Sequence, residues 1–291
     1  MSRIEERAPS EEHQSSARRL FKAVQVEGER ELKRPPHSLW WSGISAGAVM
    51  SLSLVASAIL RHDLPDTSYR HLLVALGYPV GFLIVILGHM QLFTENTITT
   101  VLPALERRSL ACIKRTAILW STVLLANMLG AALMAGAWVS GMLPAEYLAD
   151  LLAISEQSTY GTFSSNVLHA IPAGFIVAAL VWVTRDQRNR FFLIVGFTWL
   201  IAAGHFRHVI VGAVEWTALV WAGDGAFLGR GVTFLIPALL GNVIGGTLLF
   251  ALLAWAQVRE ETEADSEREA RTLSDTDAQE APYRGVPSGA E

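Results

Sequence analysis

Between residues 38 and 257 charge nearly disappears, leaving apolar runs near 38–60, 71–91, 112–138, 164–184, 191–222 and 231–257. Each run reaches the roughly 20 residues that a helix needs to cross a hydrocarbon core of about 30 Å. The expectation is an all-α membrane protein with six transmembrane helices. Residues 1–37 are polar and mixed in charge, with no short apolar stretch and cleavage site, so no signal peptide is expected. Leu20, Phe21, Val24 and Val26 suggest an amphipathic helix on the inner surface. Residues 258–291 are acidic and rich in Ser, Thr and Pro, which reads as a disordered tail. The net charge of −4 mostly reflects that tail and says little about a substrate. Cys112 is the single cysteine, which excludes an intramolecular disulfide or a cysteine cluster.

Basic residues alternate from loop to loop. Arg107, Arg108, Lys114 and Arg115 follow the second run, and Arg185, Arg188 and Arg190 follow the fourth. The other loops hold Arg61 and Arg70, then no Lys or Arg over 141–163, then Arg230. Lys and Arg mark the cytoplasmic side, so both termini are expected there, as an even number of crossings requires.

The chain also writes one motif twice. Gly88-His89 and Gly204-His205 lie 116 residues apart, and Leu124-Leu125-x-Asn127-x-x-Gly130 and Leu239-Leu240-x-Asn242-x-x-Gly245 lie 115 apart. A weaker pair, Ile44-x-Ala46-Gly47 and Ile171-x-Ala173-Gly174, precedes them at a different offset. Two units of three spans follow, about 38–140 and 160–257, the second inverted because each unit is odd. Inverted repeats of this kind build channels and transporters with a site near the bilayer midplane.

The second and fifth runs are too long for simple helices: at about 1.5 Å per residue each would reach roughly 50 Å. Polar residues also sit in their middles: His89, Thr94, Glu95 and Asn96 in one, and His205, Arg207, His208 and Glu215 in the other. A broken helix in each half accounts for both facts, since irregular backbone is tolerated where it lines a cavity. For the second run, a helix ending at Gln91 followed by a surface loop and an amphipathic helix is the alternative. A charge near the membrane centre costs about 2.5–3.5 kcal/mol, so Arg207 needs water, a partner or a task. Arg207, His208, Thr94, Glu95, His89 and His205 are therefore candidate pore or substrate residues, with His208 opposite His89. Asn127 and Asn242 are expected to hydrogen-bond backbone groups freed at the breaks.

Taken together these residues resemble the formate/nitrite transporter family. Leu92-Phe93-Thr94-x-Asn96 is similar to the loop that interrupts that family's second helix. Gly204-His205-Phe206-Arg207-His208 is similar to the break in its fifth helix, where His208 matches the central pore histidine. Pro237-x-x-x-Gly241-Asn242-x-x-Gly245-Gly246 matches the sixth-helix motif. The resemblance implies an aquaporin-like protomer, a homopentamer in the bacterial inner (plasma) membrane, and one pore per subunit for small monovalent anions. By matching positions it implies an outer constriction at Tyr78 and Ile201. The inner one would comprise Phe82, Leu92, Phe93 and Val177, with Thr94 on the loop near His208. It also implies no enzymatic activity. No cofactor, metal or nucleic-acid partner is expected. The chain departs from the family where Arg207 replaces an acidic residue, Gly212 and Gly174 replace asparagines, and His89 is unusual. Leu-Phe-Thr-Glu-Asn in the loop suggests a divergent inner-membrane branch.

Two mechanisms follow from the residues. In one, Arg207 attracts the anion and His208 hydrogen-bonds or protonates it, giving proton-coupled or pH-dependent passage. In the other, Glu95 pairs with Arg207, cancelling the attraction and favouring small neutral solutes. A membrane metalloenzyme built on His89, His205, His208, Glu95 and Glu215 is a remote third reading.

Overall fold

A computed structural model describes residues 16–185, 187, 189–223, 225 and 227–260. The acidic tail beyond 260, the first 15 residues and Arg188 lie outside them. Among the described residues every regular element is helical: α1 Ser16–Glu31, α2 Pro36–Asp63, α3 Arg70–Leu87, α4 Phe93–Thr99, α5 Val101–Arg107, α6 Leu110–Met142, α7 Ala145–Thr159, α8 Phe163–Thr184, α9 Phe191–Ala203, α10 Val209–Trp221 and α11 Gly231–Glu260. Five of these (α2, α3, α6, α8 and α11) are long and apolar enough to cross a membrane, and α9 and α10 are shorter apolar helices.

Both over-long runs are interrupted. α3 ends at Leu87 and the chain resumes as α4 at Phe93, while α9 ends at Ala203 and resumes as α10 at Val209. The stop has the same form each time: a glycine cap (Gly88 or Gly204), then a histidine in the left-handed region, with φ of 50° at His89 and 52° at His205. That conformation is unfavourable for a residue with a Cβ, and it turns the chain out of helical register. α4 is buried along nearly its whole length, so the surface-loop alternative for the second run does not hold.

The weaker repeat motif packs helices. Gly47 of α2 lies against the Asn127 backbone of α6, and Gly130 of α6 against the Ile44 carbonyl. Gly174 of α8 lies against Asn242, and Gly245 against the Ile171 carbonyl, so α8 and α11 cross as α2 and α6 do. No side chain would fit at any of the four, and small residues at such crossings let backbones approach closely. The different offset has a simple origin. α2 has 28 residues to α8's 22, and α3 has 18 to α9's 13. The extra turns belong to the first half alone.

α1 packs on the face that carries the basic loops. Phe21 and Val24 are buried, Phe21 meets Trp182 edge-on, and Val26 is exposed. Glu29 pairs with Arg107, Glu27 with Arg185, and Trp255 near the end of α11 bonds Glu106. α1 and the end of α11 therefore share this N-terminal face. On the opposite face lies α7, a helix in the connection between the third and fourth apolar runs; Asp150 ties it to Arg61 and His62 of α2, both at 3.1 Å.

Candidate functional site

One asparagine holds each break. Asn127 Nδ2 donates to the Gly43 and Gln91 carbonyls, both at 2.8 Å, and its Oδ1 accepts the Phe93 amide at 2.9 Å. Asn242 Nδ2 donates to the Ala170 carbonyl at 2.9 Å and the Arg207 carbonyl at 2.8 Å, and its Oδ1 accepts the Val209 amide at 2.9 Å. Each carboxamide thus satisfies one amide and one carbonyl that an interrupted helix leaves open, and ties them to a carbonyl of a neighbouring helix. The pattern puts Gln91 in register with Arg207, Leu92 with His208, and Phe93 with Val209.

Leu92 and His208 are the extended N-cap residues of α4 and α10, and both are buried. His208 Nδ1 accepts the Val211 amide at 3.4 Å, and Nε2 lies 2.8 Å from Thr94 Oγ1. An imidazole whose Nδ1 accepts must carry its proton on Nε2, so the ring is neutral here and Nε2–H donates to the threonine. Thr94 sits in the first turn of α4 rather than on a loop. Its carbonyl accepts from Thr97 Oγ1 at 2.7 Å, and the Thr97 carbonyl accepts from Thr247 Oγ1 of α11 at 2.7 Å.

Phe82 lies against this pair. Phe82 meets the His208 ring edge-on at 5.0 Å and Tyr78 at 5.3 Å. Phe82, Leu92, Phe93, Val177 and Ile201 are all buried, with Tyr78 partly so. Below them, on the N-terminal face, a small cavity of about 80 Å³ is lined by Leu92, Gln91, Glu95, His89, Glu31 and Arg185, among others. Gln91 Nε2 donates to Glu31 Oε2 of α1 at 2.7 Å, so α1 reaches the first break directly. A more open basic depression adjoins, with Arg19, Lys22, Arg30, Arg185 and Arg190.

On the opposite face a chamber of about 480 Å³ is lined by Arg207, His208, His205, His71, Tyr78 and Glu215, among others. The Arg207 guanidinium bonds the carbonyls of Ser158 and Tyr160 at the end of α7, the latter at 3.1 Å. Those are carbonyls a helix end leaves open, and a cation there also meets the negative end of the helix dipole.

This geometry corrects four expectations. Arg207 does not pair with Glu95: the arginine lines the 480 Å³ chamber with Glu215, whereas Glu95 lines the cavity on the N-terminal face, one carboxylate oxygen buried without a partner. The two breaks send their downstream helices to different faces, which separates the charges. His89 does not face His208; its counterpart is His205, and each is exposed at its own mouth. Arg207 does not lie deep beside the imidazole, because its side chain runs outward to α7. The proposed metal ligands divide between the two cavities, and no group of three or more His, Cys, Asp or Glu converges among the described residues. Sequence reasoning missed Ser158 and His71, and left Glu215 out of the pore. The signal for α7 was there, in Pro144 before Tyr147, Leu151 and Ser155 at helical spacing.

Comparison with known proteins agrees with this architecture. The model of the formate/nitrite transporter family matches residues 18–256. Inner membrane protein YfdC of Escherichia coli (strain K12) is 36% identical over 261 residues, which is 88% of this chain and 84% of that protein. An FNT family ion channel aligns with a TM-score of 0.68 at 18% identity, covering 83% of this chain and 96% of its own. A pentameric formate channel with formate bound aligns at 0.61 and 16% identity, covering 83% and 98%. At these identities the two solved structures speak to the fold. The chain belongs to the formate/nitrite transporter family, whose members are membrane transport proteins and not enzymes.

Proposed function

We propose that each protomer passes small monovalent anions, conjugate bases of weak acids such as formate or nitrite, in a proton-coupled or at least pH-dependent way. The observation that carries this reading is the His208–Thr94 pair at 2.8 Å, beside the Arg207 chamber and against buried Phe82 of the apolar ring proposed with Leu92 and Phe93. An anion entering that ring loses its hydration at a cost of many kcal/mol, so it must meet charge or gain a proton. Arg207 raises the local anion concentration; His208 Nε2–H offers the hydrogen bond; a proton from the solution in the chamber neutralises the anion, and the neutral acid crosses Phe82, Leu92 and Phe93.

Homopentameric assembly and an inner-membrane location are part of the same proposal. They are supported by the pentameric formate channel and the Escherichia coli inner membrane protein that the chain resembles. Six crossings in two inverted halves, with both termini cytoplasmic, are supported by the basic loops and by the shared face of α1 and the end of α11.

The test is flux into proteoliposomes over a panel of small acids at several pH values. His208→Phe is expected to abolish uptake, and Arg207→Glu to abolish or redirect it. Normal anion flux in both variants would overturn the reading. Flux of neutral solutes alone would favour a neutral-solute channel in its place.

A further inference from the structure

The chamber that Arg207 lines holds two titratable side chains that the proposed permeation step does not use. The imidazoles of His71 and His205 stack with centroids 6.2 Å apart and planes 21° from parallel. The break itself aims His205, which occupies the left-handed position after the α9 glycine cap. His71 belongs to the extra turns of α3 that the second half lacks. Its Nδ1 donates to the Ser68 carbonyl at 3.1 Å, which leaves Nε2 as its site of protonation.

We propose that His71, His205 and Arg207 form a first anion site in this chamber, ahead of the His208–Thr94 pair. A small monovalent anion binds there together with one proton, carried by one of the two imidazoles. The site rests on the anion reading above and extends it with a point of proton entry. The charged groups around the stacked pair are Arg61, Asp66, Arg70, Arg207 and Glu215, with His208 at the chamber floor. Arg70 and Asp66 form an ion pair at 3.6 Å. Arg61 also pairs with Asp150 at 3.1 Å, so three guanidiniums and three carboxylates surround the stacked pair. A proton added to either ring meets repulsion from Arg207 until an anion offsets it, and the anion in turn gains from the proton. The two ligands therefore bind cooperatively, and each raises the affinity for the other by the same factor. A proton on one ring repels a second on the other. The step adds one anion and one proton and breaks no covalent bond.

The experiment is calorimetric titration of formate into the purified full-length protein, in two buffers of different ionisation enthalpy at about pH 6. Wild type is expected to take up about one proton per formate bound. The double variant His71→Gln, His205→Gln is expected to take up almost none and to bind formate about tenfold more weakly. Its deficit should shrink as the pH is raised and protons become scarce. Both histidines are exposed, so the variants test binding rather than folding. In proteoliposomes the variant should show a KM for formate that no longer falls as the outer medium is acidified. A double variant that keeps its proton uptake and pH-dependent KM overturns the inference while leaving the anion reading intact. Wild-type protein that neither binds nor carries formate, nitrite or a similar anion overturns both.

Discussion

The two helix breaks, 88–92 and 204–208, share a scaffold and differ in chemistry. Both have the glycine cap, the left-handed histidine and the bridging asparagine. At matched positions, however, the first offers Gln91, Leu92 and Thr94, and the second Arg207, His208 and Ile210. Each break is also steadied by an accessory helix on its own face: Gln91 by Glu31 of α1, and Arg207 by the Ser158 and Tyr160 carbonyls of α7. Backbone satisfaction is thus duplicated and charge is not. A duplicated scaffold has to meet the same backbone demands twice, because unpaired amides are costly in any membrane interior. Side-chain chemistry carries no such requirement, so one copy can place a leucine where the other places a histidine.

The strongest way to break this comparison is to remove an asparagine. Asn127→Ala and Asn242→Ala each strand one buried amide and one carbonyl at the break, an expected loss of about 2–5 kcal/mol. Thermal unfolding in detergent should fall by a similar amount for both. A large loss in one and none in the other would show that the breaks are not equivalent supports. Next comes an exchange of chemistry: Leu92→His with His208→Leu should leave anion uptake about a hundredfold down, about 2.7 kcal/mol. The transplanted imidazole would face Ile210 where His208 faces Thr94. Recovery of wild-type flux in the exchange variant would mean that position within the pore is irrelevant.

The smallest effect concerns the accessory helix. Burial raises the Glu31 carboxyl above its ordinary value of 4.5, with Arg34 pulling it back down. The docked helix then binds a proton more tightly than the free one. Docking is strongest below the ordinary value and weakens as pH climbs through the raised one. Amide exchange in residues 20–31, corrected for its chemical rate, should be slower at about pH 5 than at about pH 7. Glu31→Gln should flatten that difference; an unchanged pH dependence would mean that another group sets it.

Much of this was readable in the chain. Two runs too long for the bilayer and interrupted by polar residues located the breaks, and Asn127 and Asn242, recurring with their glycines, identified what holds them. Charge pairing was not readable. Glu95 and Arg207 both belong to interrupted spans, and only the divergence of α4 and α10 puts them on opposite sides of the apolar ring. α7 escaped notice because it is too short to cross a membrane and carries no basic residue. Its contribution comes from carbonyls, which a sequence does not display.

The threonine chain has a consequence of its own. Leu248 and Leu249 point outward from α11 beside Thr247. From Thr247 three successive bonds, through Thr97 and Thr94, arrive at the imidazole. Whatever leans on that rim, whether acyl chain or adjoining subunit, would pull on the aperture by way of hydroxyl groups. The perimeter and the conduit are therefore one mechanical circuit.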